Sequence, residues 1–258
     1  MFFKNKEYCS SLSMHHLIMD WMRGNPGSSD GQAFLSFCTQ TMHRINLSTI
    51  LKDTEGQSSS SLWHDLRYAR ITASKLYEAS RCSTESGSLV NTILGAQKVK
   101  DTTAMERGRT LEPIVCGMVE QKYAQKVSHV GLALNEEYPM FGASPDGVMG
   151  DFVIEIKCPM SEKTFKTYFD SSMTKPSSKY LTQVMLQMLF LNKRKGLFCV
   201  ALPNFEKEKK IKILEVLYDS DFMQSTLAQA SQFWLKAIFP KLNKDLMPPQ
   251  LLPLLDSN

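Results

Sequence analysis

Phe152-Val153-Ile154-Glu155-Ile156-Lys157 decides the fold of this 258-residue chain. Read as a strand, it projects residues two apart to one side, so Val153, Glu155 and Lys157 face one way and Phe152, Ile154 and Ile156 the other. Glu155 and Lys157 then stand roughly 6 to 7 Å apart along the rise. A carboxylate and an ammonium therefore share the inner side of a strand whose second side is wholly apolar. Just upstream, Pro145-Asp146-Gly147 has the composition of a turn. A hairpin there brings Asp146 beside Glu155.

Around this strand, residues 127–134 and 140–144 read as further strands, and 197–202 and 211–217 as a pair joined by the charged turn 204–210. Residues 102–124 and 179–191 have helical periodicity. In the first of these, Met105, Gly108, Glu112, Val115, Val119 and Tyr123 advance by three or four and share a face. A glutamate in that stripe is costly to bury unless a cation or hydrogen-bond donors meet it. Thr72 is placed to cap a short helix reaching about Ser80. Residues 221–239 form a last amphipathic helix carrying Trp234, and Pro248, Pro249 and Pro253 stop the tail from extending it. The expected fold is α/β: a central mixed β-sheet flanked by helices.

Residues 1–60 behave differently. Gly24-Asn25-Pro26-Gly27-Ser28-Ser29-Asp30-Gly31 is a loop signal, residues 33–45 suit one helix, and Thr54-Glu55-Gly56-Gln57 with the serines 58–61 reads as a flexible linker. The expected organisation is an N-terminal appendage over 1–60, a main domain over 61–242 and a tail over 243–258.

Apolar residues make up 43% and charged residues 22% of the chain, enough for one substantial core. The formal net charge of +4 is too small to argue for nucleic acid unaided. No run approaches the ~18 to 20 apolar residues of a membrane span. Lys4 and Lys6 precede no apolar stretch of the signal-peptide kind. An intracellular location is expected, with nucleus and cytoplasm left open. The cysteines at 9, 38, 82, 116, 158 and 199 form no C-x-x-C pair and are read as reduced thiols. A zinc site from Cys9, His15, His16, Cys38 and His43 is an alternative, although its spacings fit no tidy ligand pattern.

Hard divalent cations take carboxylate, carbonyl and water oxygens. Asp146, Glu155 and the Ile156 carbonyl have the character and spacing for Mg²⁺, with Mn²⁺ as a substitute. Glu112 arrives from the helix to hold a bound water, and Lys157 is placed to stabilise charge on a phosphate or orient a nucleophile. Each residue alone has a plainer meaning. E-x-K is usually a surface ion pair, Pro-Asp-Gly a favoured turn, and a helix glutamate a boundary residue. Their order and spacing carry the reading.

Ser144-Pro145-Asp146-Gly147 with Glu155-Ile156-Lys157-Cys158-Pro159 resembles the core of the YqaJ-type viral recombinase family, which includes the lambda-phage exonuclease among the PD-(D/E)xK nucleases. Trp63-His64-Asp65-Leu66-Arg67, Arg70-Ile71-Thr72-Ala73-Ser74, Gly108, Leu111-Glu112-Pro113 and Tyr180-Leu181-Thr182-Gln183 agree in order. The similarity runs from Ser61 to about Leu242. It implies a restriction-endonuclease-like core in which Asp146, Glu155, the Ile156 carbonyl and Glu112 serve the metal, Lys157 is the catalytic lysine and Gln183 supports the centre. Arg67, Ser74 and Ser144 match residues that receive a 5′-terminal phosphate. Lys163 stands where that pocket has an arginine, keeping the charge but losing the bidentate fork.

Plainer alternatives stay open for these positions too. Arg67 can pair with Asp65 or Glu78, Ser74 and Ser144 can be caps or turn residues, and Trp63 serves equally as core packing or DNA contact. Arg70, Lys75, Arg81 and Lys166 add basic residues near the motifs, suited to salt-dependent phosphate contacts. Gln187, four residues after Gln183, reads as a solvated neighbour, and Lys207-Glu208-Lys209-Lys210 as a solvated turn.

The resemblance implies a Mg²⁺-dependent 5′ to 3′ exonuclease on duplex DNA ends. It further implies a role in recombination or repair with a single-strand annealing partner, and by analogy a ring-shaped homotrimer. An endonuclease or RNA-cutting enzyme of the same chemistry is the second reading. A binding module that has lost catalysis is the third, and the intact Glu112, Asp146, Glu155 and Lys157 weigh against it.

Overall fold

The computed structural model describes residues 9–95 and 101–244. Lys4, Lys6 and the proline-bearing tail from 247 lie outside the described residues. In chain order the helices are α1 (Met14–Gly24), α2 (Gly31–His43), α3 (Leu47–Asp53), α4 (Ser61–Arg67), α5 (Ala73–Ala79), α6 (Ser88–Ile93), α7 (Thr103–Tyr123), α8 (Glu162–Thr167), α9 (Ser178–Phe190), α10 (Phe205–Glu208), α11 (Ser220–Phe233) and α12 (Phe239–Lys244). The strands are β1 (Ile71–Thr72), β2 (Phe141–Gly142), β3 (Gly147–Met149), β4 (Phe152–Lys157), β5 (Lys195–Ala201) and β6 (Ile211–Leu217). Among the described residues no helix is long and apolar enough to cross a membrane. The chain forms two compact units, one from described residues 9–95, 131–142 and 225–244, the other from 101–130 and 143–224.

The second unit holds the mixed sheet, in the order β3-β4-β5-β6. β3 and β4 form an antiparallel hairpin, β4 and β5 are parallel, and β5 and β6 are antiparallel. A parallel pair needs a crossover, and α8 and α9 supply it. On one face of the sheet Leu111, Val115, Cys116 and Val119 of α7 bury against Ile154, Ile156, Leu197 and Cys199. On the other face α9 packs on Val153 and Gly196. Gly196 is needed there, because a Cβ would come within 2.5 Å of Val184 Cγ1 and 3.3 Å of Val153 Cγ2. This close approach brings the α9 side chains down onto β4. Gly196→Ala is expected to cost about 1 to 3 kcal/mol by overpacking, seen as a lower urea midpoint at unchanged slope; an unchanged midpoint would contradict this packing.

The first unit explains the N-terminal residues. Trp21 of α1, Phe34 of α2, Trp234 and Phe239 form an aromatic core, with Phe34 and Trp234 stacked at 6.3 Å and Trp234 Nε1 donating to the Ala69 carbonyl (2.7 Å). Residues 9–60 are therefore integral to this unit rather than an appendage ending at 60. The linker reading of 54–61 is also corrected. Gln57–Ser59 is a 3-10 turn, Ser60 caps α4, and buried Thr54 Oγ1 accepts from the Leu132 N–H (2.8 Å). Gly131 fits against this bend because a Cβ would meet Thr54 backbone at 2.4 Å.

Three further expectations change. Residues 127–134 form no strand. Ser128 makes one bridge to Val148, and 131–134 belong to the first unit. Residue 147 leaves the expected turn to begin β3. The last helix is interrupted at Trp234–Ile238 by a π-turn, in which the Phe239 N–H reaches the Trp234 carbonyl. Pro240 has no N–H to continue the α-helical ladder, which accounts for the break.

Candidate active site

Glu155 sits at the centre of β4, 1% exposed, on the face turned toward α9. An isolated buried carboxylate is severely penalised, and this one is met by three donors. Gln183 Nε2 donates to Oε1 (2.6 Å), Gln187 Nε2 donates to Oε2 (2.6 Å), and Lys157 Nζ pairs with Oε1. Strand alternation puts Lys157 on the same side as Glu155, and the helical step of four puts both glutamines over it. Gln187 is 0% exposed, which corrects its reading as a solvated neighbour. Tyr168 and Tyr180 pack edge to face at 4.7 Å between ring centroids, with Lys157 Nζ 5.9 Å from the Tyr180 ring.

Asp146 stands immediately before β3, at the open end of the β3–β4 hairpin. Its N–H donates to the Ile154 carbonyl (3.0 Å) and its Oδ2 accepts from the Ile156 N–H (2.6 Å). The carboxylate thus lies against the backbone between Glu155 and Lys157. Burial, then the charge of Glu155, pushes Asp146 well above the usual carboxylate range, against the pull of Lys157. Glu112, half-buried on α7, is raised by burial and by Glu155, with Lys157 and His129 opposing. Burial works against the Lys157 ammonium, but Glu155 and Asp146 outweigh it and hold the group charged well above neutral pH. Burial and Glu112 push the neighbouring Cys158 thiol up to about 11, so it is no thiolate nucleophile at neutral pH.

The α7 stripe differs in part from expectation: Val115 and Val119 are buried and Tyr123 half-buried, but Met105 is 42% exposed and Leu111 and Cys116 complete the buried face. Among the described residues no three His, Cys, Asp or Glu side chains converge as a ready ion cage. The zinc alternative fails on the same observation. Cys9 hydrogen-bonds to Asp53 (3.6 Å), His16 to Ser13, His43 to Glu136, and burial pushes the Cys38 thiol up to about 12.

Ser144 and Lys163 lie in the second unit, Ser144 half-buried and Lys163 exposed on α8. Trp63, Arg67 and Ser74 lie in the first. The Arg67 guanidinium stacks 3.6 Å over the Trp63 ring and forms no ion pair with Asp65 or Glu78; Glu78 pairs with Lys75. Trp63 is buried and supports Arg67. The Ser74 hydroxyl lies 3.2 Å from that of Thr72. Arg70, read from sequence as one of the basic residues suited to phosphate, is 1% exposed, and each of its three nitrogens donates to a backbone carbonyl of its own unit. Gln187 and His129, whose Nδ1 donates to the Asp146 carbonyl (3.3 Å), are the site neighbours the sequence reading missed. A glutamine four residues after Gln183 was the available signal for the first; nothing in the sequence pointed to the second.

A mixed sheet covered by helices on both faces, whose second strand carries E-x-K beside an aspartate from the adjoining hairpin, is the core of the PD-(D/E)xK nucleases. The YqaJ-like viral recombinase domain matches residues 62–193, just over half of the sequence, and the chain belongs to that family. Solved structures agree on the fold. LHK-Exo, an alkaline exonuclease from Laribacter hongkongensis crystallised in complex with dAMP, is similar with a TM-score of 0.61 at 24% identity, over 72% of this chain and 97% of that one. The shutoff and exonuclease protein of Kaposi's sarcoma-associated herpesvirus gives 0.55 at 11% identity, over 98% and 96%. A phage-related exonuclease from Haemophilus somnus 129PT gives 0.53 at 13%, over 68% and 98%. Among curated proteins none matches.

Proposed function

We propose that the protein is a Mg²⁺-dependent nuclease that hydrolyses duplex DNA from its ends in the 5′ to 3′ direction. The observation that carries this is the meeting of Glu155, Lys157 and Asp146 at one point of β4, with Glu112 in their field. Lys157 pairs with Glu155 and lies in the field of Asp146 and Glu112, and burial, reinforced by the charge of Glu155, pushes both of those carboxyls upward. The donors are hard oxygens, so a divalent cation fits. Asp146, Glu155 and the Ile156 carbonyl would hold it, with water and substrate phosphate filling the remaining positions. When bound, such an ion acidifies water and neutralises charge on the scissile phosphate.

The chain's own groups supply the rest. Lys157 stays protonated beside the site and stabilises negative charge growing on the phosphate. Glu112 is placed to orient a water and accept its proton. Gln183 fixes the Glu155 carboxylate. Arg67, without a carboxylate partner among the described residues and stacked over Trp63, is suited to a phosphate oxygen, as are Ser74, Ser144 and Lys163 by the family resemblance. A lysine in place of the arginine fork weakens 5′-phosphate preference. Recombination or repair of DNA ends with an annealing protein, and a ring-shaped homotrimer, are the partners this reading carries.

A second reading, cleavage of RNA, is favoured by one observation: the herpesviral relative is similar along 98% of this chain and has also been solved in complex with RNA. The test compares linear duplex with 5′-phosphate, linear duplex with 5′-hydroxyl, closed circular DNA and RNA, each with Mg²⁺. Loss of both linear duplexes, with the phosphorylated one favoured less than tenfold and circle and RNA intact, is expected. Cutting of the circle or of RNA alone overturns the exonuclease assignment. No cleavage of any substrate, with salt-sensitive binding retained, indicates a binding module.

A further inference from the structure

We infer that Gln187 is a positioning residue that orients the ion-facing oxygen of Glu155 and ties it to the loop carrying Asp146. This rests on the metal-dependent reading above. A carboxylate offers about four acceptor positions, two on each oxygen. On Glu155 both positions of Oε1 are used, by Gln183 Nε2 and Lys157 Nζ, while Oε2 accepts from Gln187 Nε2 alone. The open position is therefore on Oε2, the oxygen that Gln187 holds. Similarly, Asp146 Oδ2 is occupied by the Ile156 N–H, which leaves Oδ1 as the oxygen not used in that bond.

The same Gln187 amide reaches a second partner. Its Nε2 lies 3.4 Å from the Ser144 carbonyl, two residues before Asp146. One NH₂ group thus spans the strand bearing Glu155 and the loop bearing Asp146, the two segments whose separation an ion would have to match. Packing alone does not explain a glutamine here. Gln187 is 0% exposed, and its Oε1 is buried with no hydrogen-bond partner. An unpaired buried acceptor is unfavourable, and a methionine would fill the same space without it. What glutamine adds is the donor pair, and both bonds of that pair end at the candidate ion site.

Groups that orient a metal ligand typically change metal affinity by about ten- to a hundredfold when removed. The experiment is a Mn²⁺ titration of the full chain by calorimetry, together with the Mn²⁺ concentration giving half-maximal cleavage, for wild type, Gln187→Met and Asp146→Asn. Gln187→Met is expected to weaken Mn²⁺ binding about ten- to a hundredfold and to move the half-maximal concentration upward equally, with cleavage recovering at high Mn²⁺. A purely structural role would lower the melting midpoint and the amount of active protein but leave that concentration unmoved. Should Gln187→Met fail to fold, Gln187→Asn, which withdraws the amide by one methylene, makes the same test. Wild-type Mn²⁺ affinity in either folded variant, with Asp146→Asn impaired, overturns the role of Gln187 alone. Absence of Mn²⁺ binding by the wild-type protein overturns the metal-dependent reading and this inference with it.

Discussion

Asp146→Asn is expected to reduce cleavage by about a thousandfold or more and, at the same time, to raise the melting midpoint of the metal-free protein at pH 8. The first effect follows from losing an ion ligand at the point where Glu155 and Lys157 meet. The second follows from electrostatics. Burial and then Glu155 hold Asp146 well above the carboxylate range, so its protonated form is the one the folded chain favours. The stability contributed by that form is fully present below the unfolded value of ~3.9 and is lost as pH rises through the raised folded value. An amide does not titrate, and its oxygen still accepts from the Ile156 N–H. The gap between variant and wild type should therefore be small at pH 4 and open as pH rises. Melting curves across that range, without metal, check it. A variant that melts below wild type at pH 8, or still cleaves at the wild-type rate, contradicts the geometry of the site.

Arg70→Met is expected to cost about 3 to 5 kcal/mol, the largest stability effect anticipated for a single charged residue here. Arg70 Nε donates to the Pro139 carbonyl (2.9 Å), Nη1 to that of Leu66 (2.5 Å) and Nη2 to that of Leu12 (2.6 Å). Three segments of the first unit are joined at one guanidinium. Burial lowers the group to about 10, which leaves it protonated at neutral pH. Methionine fills the stem but strands three buried carbonyls, each worth about 1 to 3 kcal/mol when unpaired. Lysine keeps the charge but presents its donors from one atom rather than a planar fork, so Arg70→Lys should lose nearly as much. Urea denaturation at unchanged slope reads the loss. A change below about 1 kcal/mol in either variant would show that the fork does not hold this unit together.

The two arginines show where sequence reading succeeds and where it stops. Arg67 and Arg70 stand three residues apart in basic, motif-rich sequence, and both suit phosphate on composition. Only packing separates them: one lies over Trp63 without a carboxylate partner among the described residues, the other is sealed among carbonyls. The strand 152–157 was legible because its alternation is strict, and with it the shared side of Glu155 and Lys157. Gln187 was not, since a glutamine pair at i and i+4 reads equally as a solvated stripe until the packed face of α9 is known. Gly196 sets that face. Residues 127–134 look strand-like because apolar residues fill them, yet the chain divides there, one half bridging to Val148 and the other packing beside Thr54. Residues 9–60 read as an appendage because their loop signals are strong, while their contribution to the core rests on a few aromatic residues that meet partners far away in sequence.

In the proposed site Asp146 and Glu155 grip one divalent ion. Anomalous diffraction from crystals of the full chain soaked in Mn²⁺ tests it most directly. An ion peak about 2.0 to 2.3 Å from a carboxylate oxygen of each residue is the predicted result. A peak elsewhere, or none in crystals whose protein cleaves DNA with Mn²⁺, would contradict it.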